Sequence, residues 1–180
     1  DSRENCNAII ETATNTLIFG CGKTTVPKDI TKIGDYAFSG CKNLEEIKLP
    51  DSVTSIGVEC FSESSLKSIV IPDTVTEIGG GAFWYCRLLE KITIPAVKFG
   101  SHAFCECKNI SEVYFSDSVK CLDMRQFMDE SGLYYEDRDP FSHLKKLRFS
   151  ASIEKIDNLD NYFVDIDTLV FEGRIPETND

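Results

Sequence analysis

Short bursts of alternating apolar and polar residues recur along the chain, each closed by an apolar-proline pair: Val26-Pro27, Leu49-Pro50, Ile71-Pro72 and Ile94-Pro95. The prolines lie 23, 22 and 23 residues apart. The same slot continues without proline as Phe115-Ser116, Phe149-Ser150 and Phe171-Glu172, at spacings of 21, 34 and 22, so one unit carries an insertion. Within Leu44–Pro50, Ile47 and Leu49 alternate with polar residues, which is the period of a half-buried strand. Proline has no backbone N–H to give to a ladder, so it belongs at the strand end.

Two further columns keep the register. Phe38, Phe61, Phe83, Phe104 and Phe127 follow one another at 23, 22, 21 and 23 residues. A turn column runs through Ile33-Gly34, Ile56-Gly57, Ile78-Gly79, Phe99-Gly100 and Leu122-Asp123. The glycines are expected to serve a backbone turn with φ above zero, and Ala37, Ala82 and Ala103 leave the neighbouring Phe room to stack. A unit of about 22 residues cannot bury its apolar face alone. Stacking units at a strand spacing of roughly 4.8 Å makes one continuous core, and the expected architecture is a right-handed solenoid.

The Leu44-x-x-Ile47-x-Leu49 segment has the spacing of a leucine-rich repeat strand, without the asparagine that usually follows it. Asp29, Ser52, Thr74, Ser118 and Ser152 fill that column and are expected to hydrogen-bond turn backbone instead, while the unit after Pro95 has Val97 there. The run Ile-Pro-Asp-Thr-Val-Thr-Glu-Ile-Gly-Gly-Gly-Ala-Phe-Trp-Tyr-Cys, from Ile71 to Cys86, resembles the repeat of the BspA-like leucine-rich family, as do Lys32–Pro50 and Ser55–Pro72. The likeness is strong from Pro27 to Phe115, weaker through Phe149 and faint in the last unit. Asn7-Ala-Ile-Ile-Glu followed by Thr16-Leu-Ile-Phe-Gly resembles the short hairpin that caps such arrays.

The expected fold is therefore an α/β leucine-rich-repeat solenoid, mostly β with short helical turns, of about six stacked units. It is expected to be one domain over residues 1–180, with an N-terminal cap at 1–26, regular repeats at 27–127, an insertion at 128–140, and degenerate repeats with a C-terminal cap at 141–180. The resemblance implies a secreted or surface-exposed bacterial protein with a role in adhesion or partner binding. It brings no catalytic residues.

Composition narrows the partners. With 180 residues, 42% of them hydrophobic and 12 Phe and 6 Tyr among them, the chain is long enough for one domain with a real core. No window approaches the roughly 18 uninterrupted apolar residues of a membrane helix. Thirty acidic against 19 basic residues leave a formal charge of −11, which repels phosphate backbones and argues against nucleic acid. The start, Asp1-Ser2-Arg3-Glu4-Asn5, carries no signal peptide and reads as a trimmed mature terminus, so secretion is an expectation of the resemblance.

The eight cysteines read mainly as packing residues. Cys41, Cys86 and Cys107 each lie three residues after a stacked Phe, and Cys60 takes the alanine slot before Phe61, so all four are expected to be buried small hydrophobes. Cys6 and Cys21 flank the N-terminal hairpin and are the candidate disulfide. His102, Cys105 and Cys107 lack a fourth ligand and a CxxC pair, so neither a metal site nor a thiol nucleophile is expected, and no cofactor. Gly79-Gly80-Gly81 falls at the repeat turn and reads as a backbone bend rather than a phosphate loop.

Recognition is expected in two places. On the outward side of the strands, Glu46/Lys48, Ser68/Val70, Lys91/Thr93, Glu112/Tyr114, Lys146/Arg148 and Thr168/Val170 should form two parallel columns on a concave face, with Tyr114, Lys146 and Arg148 the most anchor-like trio. The insertion brings Tyr134 and Tyr135 among several acids, without the spacing of a calcium loop. The expected function is a non-enzymatic, monomeric binding module that recognises a protein or a glycan. The alternatives are a structural spacer or fragment of a larger surface protein and, more remotely, a carbohydrate-binding or glycan-acting surface protein.

Overall fold

The computed structural model describes residues 6–123, 141, 143–157 and 166–179. The chain opens with an antiparallel hairpin, β1 (Ile9–Glu11) against β2 (Thr16–Phe19). From there it coils between two parallel sheets. The strands β3 (Lys32–Ile33), β5 (Ser55–Ile56), β7 (Glu77–Ile78) and β9 (Lys98–Phe99) extend the hairpin's sheet in that order. The strands β4 (Glu46–Lys48), β6 (Ser68–Val70), β8 (Lys91–Ile94), β10 (Glu112–Phe115), β12 (Lys146–Phe149) and β14 (Thr168–Phe171) form the second, six-stranded sheet. A third sheet of β11 (Cys121–Asp123), β13 (Lys155–Asp157) and β15 (Glu177–Asn179) continues the coil at its far end.

The proline slot does what its chemistry dictates. After β4 and β6 the chain turns with Val53 N–H donating to Pro50 O and Val75 N–H to Pro72 O, both at 3.0 Å. Ser116 and Ser150 keep the same turn where proline is absent, through Val119 and Ile153. The shorter unit after Pro95, which carries Val97 in the polar column, instead donates Ala96 N–H to Ser118 Oγ at 2.9 Å. That polar column reaches across units: Ser52 Oγ donates to Ile30 O at 2.6 Å and Thr74 Oγ1 to Val53 O at 2.8 Å.

Between the sheets lies the aromatic core. Phe38, Phe61, Phe83 and Phe104 stack at centroid separations of 5.3, 5.4 and 5.1 Å, and Phe61 and Phe83 are fully buried. At the ends of β10, β12 and β14 a second stack of Phe115, Phe149 and Phe171 replaces the aliphatic Leu49, Ile71 and Ile94 of the earlier units. Phe127, the next member of the first column by spacing, lies outside the described residues, as does the insertion at 128–140.

Two expectations are corrected. Among the described residues there are no helices, so the α/β class gives way to a coil built mostly of strands joined by turns. The reason is conformational: each long turn of the regular units holds two left-handed residues four positions apart, and a right-handed helix cannot pass through them. They are Tyr36 and Gly40, Glu59 and Glu63, Gly81 and Tyr85, and His102 and Glu106, with φ between 48° and 67°.

The same angles relocate the glycine requirement. Gly34, Gly57, Gly79 and Gly100 do not have positive φ; the left-handed residue comes two positions later. Their glycine is needed for contact between units. A Cβ on Gly57 would sit 2.6 Å from both Gly34 C and Asp35 N, and one on Gly79 2.5 Å from Val58 N. The strands of the turn column bring successive backbones together there, and no side chain fits between them.

Phe83→Ala is expected to cost about 3–5 kcal/mol in denaturant unfolding, the usual price of emptying a packed aromatic site. Gly57→Ala should cost roughly 1–3 kcal/mol through overpacking. Glu63→Gly should do the opposite. A left-handed non-glycine residue costs about 1–2 kcal/mol and glycine's extra chain entropy about 0.5–1 kcal/mol, so a gain of roughly 0.5–1 kcal/mol should appear as a higher midpoint.

Candidate functional site

The outward face of the six-stranded sheet carries two side-chain columns. Strand pairing sets Glu46, Ser68, Lys91, Glu112, Lys146 and Thr168 in one row and Lys48, Val70, Thr93, Tyr114, Arg148 and Val170 in the next. The alternation that buries Ile47, Ile69, Ile92, Val113 and Leu147 beneath them aims these residues outward.

Two of the anchors singled out in the sequence, Tyr114 and Arg148, meet here. The Arg148 guanidinium lies over the Tyr114 ring, 5.2 Å from its centroid. Both are tied to Glu172: the Tyr114 hydroxyl donates to Glu172 Oε2 at 3.3 Å, and Arg148 forms an ion pair with Glu172 Oε1. Burial, and after it the Glu172 carboxylate, push the Tyr114 phenol above its ordinary range, so it stays a donor. Lys146 stands beside Glu112 on the adjacent strand, and Glu112 accepts from Lys91 at 3.0 Å. That hydrogen bond, helped by the charges of Lys91, Lys146 and Arg148, holds the Glu112 carboxyl below its ordinary range. Tyr134 and Tyr135 lie outside the described residues.

Glu172 is the residue sequence reasoning missed. It follows Phe171 in the slot that holds proline or serine elsewhere, and that alignment was its only signal. The structure turns this slot back toward the exposed row, so the carboxylate closes a cluster spanning β10, β12 and the end of β14.

The cysteines show a different arrangement. All eight are free thiols, including Cys6, which is buried, and Cys21, which is exposed, so the bridge considered between them is not formed here. Cys86 Sγ donates to Phe61 O at 2.9 Å and Cys107 Sγ to Phe83 O at 2.8 Å, each reaching the carbonyl of the preceding unit. Ser64 holds the same slot and contacts Cys86 Sγ at 3.5 Å. Burial pushes the Cys60 and Cys107 thiols well above their ordinary range, so they are poor nucleophiles. Cys41 departs from the expectation of full burial: it is half-buried, because it belongs to the first unit, next to the N-terminal hairpin. Among the described residues no cluster of three His, Cys, Asp or Glu side chains is placed to hold a metal ion.

A repeat of this length, with Phe and Pro columns and two parallel sheets, can be set beside known proteins. Residues 20–134 match the BspA type leucine rich repeat region, described as six copies. The chain belongs to this family. No curated protein matches it in sequence.

Solved structures share this fold. A leucine-rich repeat protein from Bacteroides ovatus is 24% identical with a TM-score of 0.56, over 85% of this chain and 46% of that one. The pneumococcal vaccine antigen PcpA is 14% identical with a TM-score of 0.65, over 93% of this chain and 46% of its own. A leucine rich cell surface protein from Faecalibacterium prausnitzii is 21% identical with a TM-score of 0.53, over 95% and 52%. At these identities the likeness is one of fold, and the chain spans about half the length of each of these three proteins.

The thiols provide a check on the packing. In the native protein Cys60, Cys86 and Cys107 should resist alkylation while Cys21 and Cys121, both exposed, react first; mass spectrometry of a timed labelling reaction reads the order. Rapid native labelling of Cys86 or Cys107 would contradict the buried column.

Proposed function

We propose that this chain is a non-enzymatic binding module of the bacterial cell surface, acting as a monomer and recognising a protein partner through the concave, exposed face of a right-handed coil and through the insertion at 128–140. The observation that carries the reading is the Tyr114–Arg148–Glu172 cluster. A tyrosine and an arginine are held in place on an open face by contacts of their own, so a partner that docks on them orders little that is not already ordered. Tyrosine adds large contact area at low entropic cost and arginine adds directional hydrogen bonds. The Faecalibacterium prausnitzii protein of the same fold is described as a cell surface protein, which supports the location. Adhesion to host material is the role this reading favours. The second reading, a spacer within a longer surface protein, draws on the chain's spanning about half of its structural relatives.

A screen of the purified chain against host matrix proteins and glycans tests the proposal. For a partner so found, Tyr114→Ala and deletion of 129–139 should each weaken binding about tenfold or more, the scale of a hot-spot residue, with the thermal transition unchanged. Unchanged affinity in both variants would remove this site and leave the spacer reading ahead.

A further inference from the structure

On the side of the coil formed by the long turns from the first sheet back to the second, the side-chain columns are interrupted at one unit. Successive units carry Asp35-Tyr36, Val58-Glu59, Gly80-Gly81 and Ser101-His102 at equivalent positions, the second residue of each pair being left-handed. Gly80 and Gly81 thus leave a notch between Val58-Glu59 and Ser101-His102, with a volume of about 470 Å³. A Cβ on Gly81 would lie 3.1 Å from Glu59 Cγ and 3.6 Å from Trp84 Cβ, so a side chain at 81 would begin to fill it. A left-handed position accepts non-glycine residues in the three other units, so conformation alone does not demand glycine at 81.

The walls have a consistent chemistry. Trp84 and Tyr85 meet edge to face with centroids 4.8 Å apart. Both line the notch together with Glu59 and Glu106. The Glu106 side chain is only 17% exposed and pairs with Lys108 at 3.2 Å. The half-buried Glu59 carboxylate has no hydrogen bond or ion pair among the described residues. The aromatic wall already takes a cation from the chain itself, since the Arg87 guanidinium lies 4.8 Å from the Tyr85 ring centroid. Aromatic faces beside carboxylates, on a chain of net charge −11, attract positive charge and select against anions.

The geometry points to a second recognition site, separate from the sheet face: a pocket opened by Gly80-Gly81 that takes the cationic side chain of a partner protein, arginine or lysine, against Trp84 with Glu59 as its counter-charge. The volume exceeds one ammonium group and suits a long side chain with adjoining backbone. Nothing in this assignment depends on the Tyr114 cluster.

Trp84 is the chain's single tryptophan, so its fluorescence reports on the pocket directly. The full chain is titrated at low salt with N-acetyl-arginine amide, N-acetyl-lysine amide, the neutral isostere N-acetyl-citrulline amide, and an N-acetylglucosamine oligomer. A saturable change with the arginine or lysine amide, about tenfold weaker with citrulline, is the expected result. Glu59→Gln should weaken the cation response about tenfold without moving the thermal transition, whereas Tyr114→Ala should leave it intact. Equal response to citrulline, response to the sugar alone, or no response to any probe would overturn the assignment. Loss of sheet-face binding in Tyr114→Ala with the Trp84 response preserved would separate the two sites.

Discussion

Parallel strands hold their hydrogen bonds only near a spacing of about 4.8 Å, and that one repeat sets every column in the molecule. Whatever residue occupies a slot must tolerate its own kind directly above and below. Phenylalanine does so by near-parallel stacking, with interplanar angles of 10°, 13° and 6° along the first column. Glycine does so because backbone meets backbone with no room for a Cβ, as at Gly57 and Gly79. Cysteine does so by passing its weak donor to the carbonyl of the unit before it.

Charges obey the same constraint in reverse, since like charges on neighbouring strands repel. The first exposed row reads Glu46, Ser68, Lys91, Glu112, Lys146, Thr168, and no two neighbours share a sign. The bond from Lys91 to Glu112 is what such an order permits. Each pair is exposed and worth little singly, so the row's effect is to avoid a penalty more than to add stability.

The repeat was readable in the sequence because Phe and Pro have few substitutes in their slots, and the six-stranded sheet's register followed residue for residue from the apolar-proline alignment. The other regular sheet was not readable as strands. Beyond the hairpin its members β3, β5, β7 and β9 are two residues long, too short for alternation to show, and Ile33-Gly34 looked like a turn. The left-handed angles were hidden for another reason. Glycine marks only Gly40 and Gly81 among these positions, while Tyr36, Glu59, Glu63, Tyr85, His102 and Glu106 hold the rest, so packing overrides local preference there. Tyr114, Lys146 and Arg148 of the candidate site were legible, as outward residues of the strand alternation. Glu172 was not, because it sits beyond a spacing of 34 residues and in a unit whose pattern has faded.

A coil built on self-tolerant columns has little freedom inside. Changing one buried member alters two interfaces at once, with the unit above and the unit below, as Phe61 does between Phe38 and Phe83. Recognition must therefore be written where a column is broken or faces solvent. Tyr114 is such a break, an aromatic ring in a row that elsewhere holds lysine, valine and threonine, and Arg148 beside it on the next strand is another. Gly80-Gly81 is a break of the opposite kind, a subtraction that exposes Trp84 and Glu59 to one another across the gap. Both leave the Phe and Cys columns beneath them intact. The departures from the repeat can thus vary from chain to chain while its inward positions stay fixed by the strand spacing.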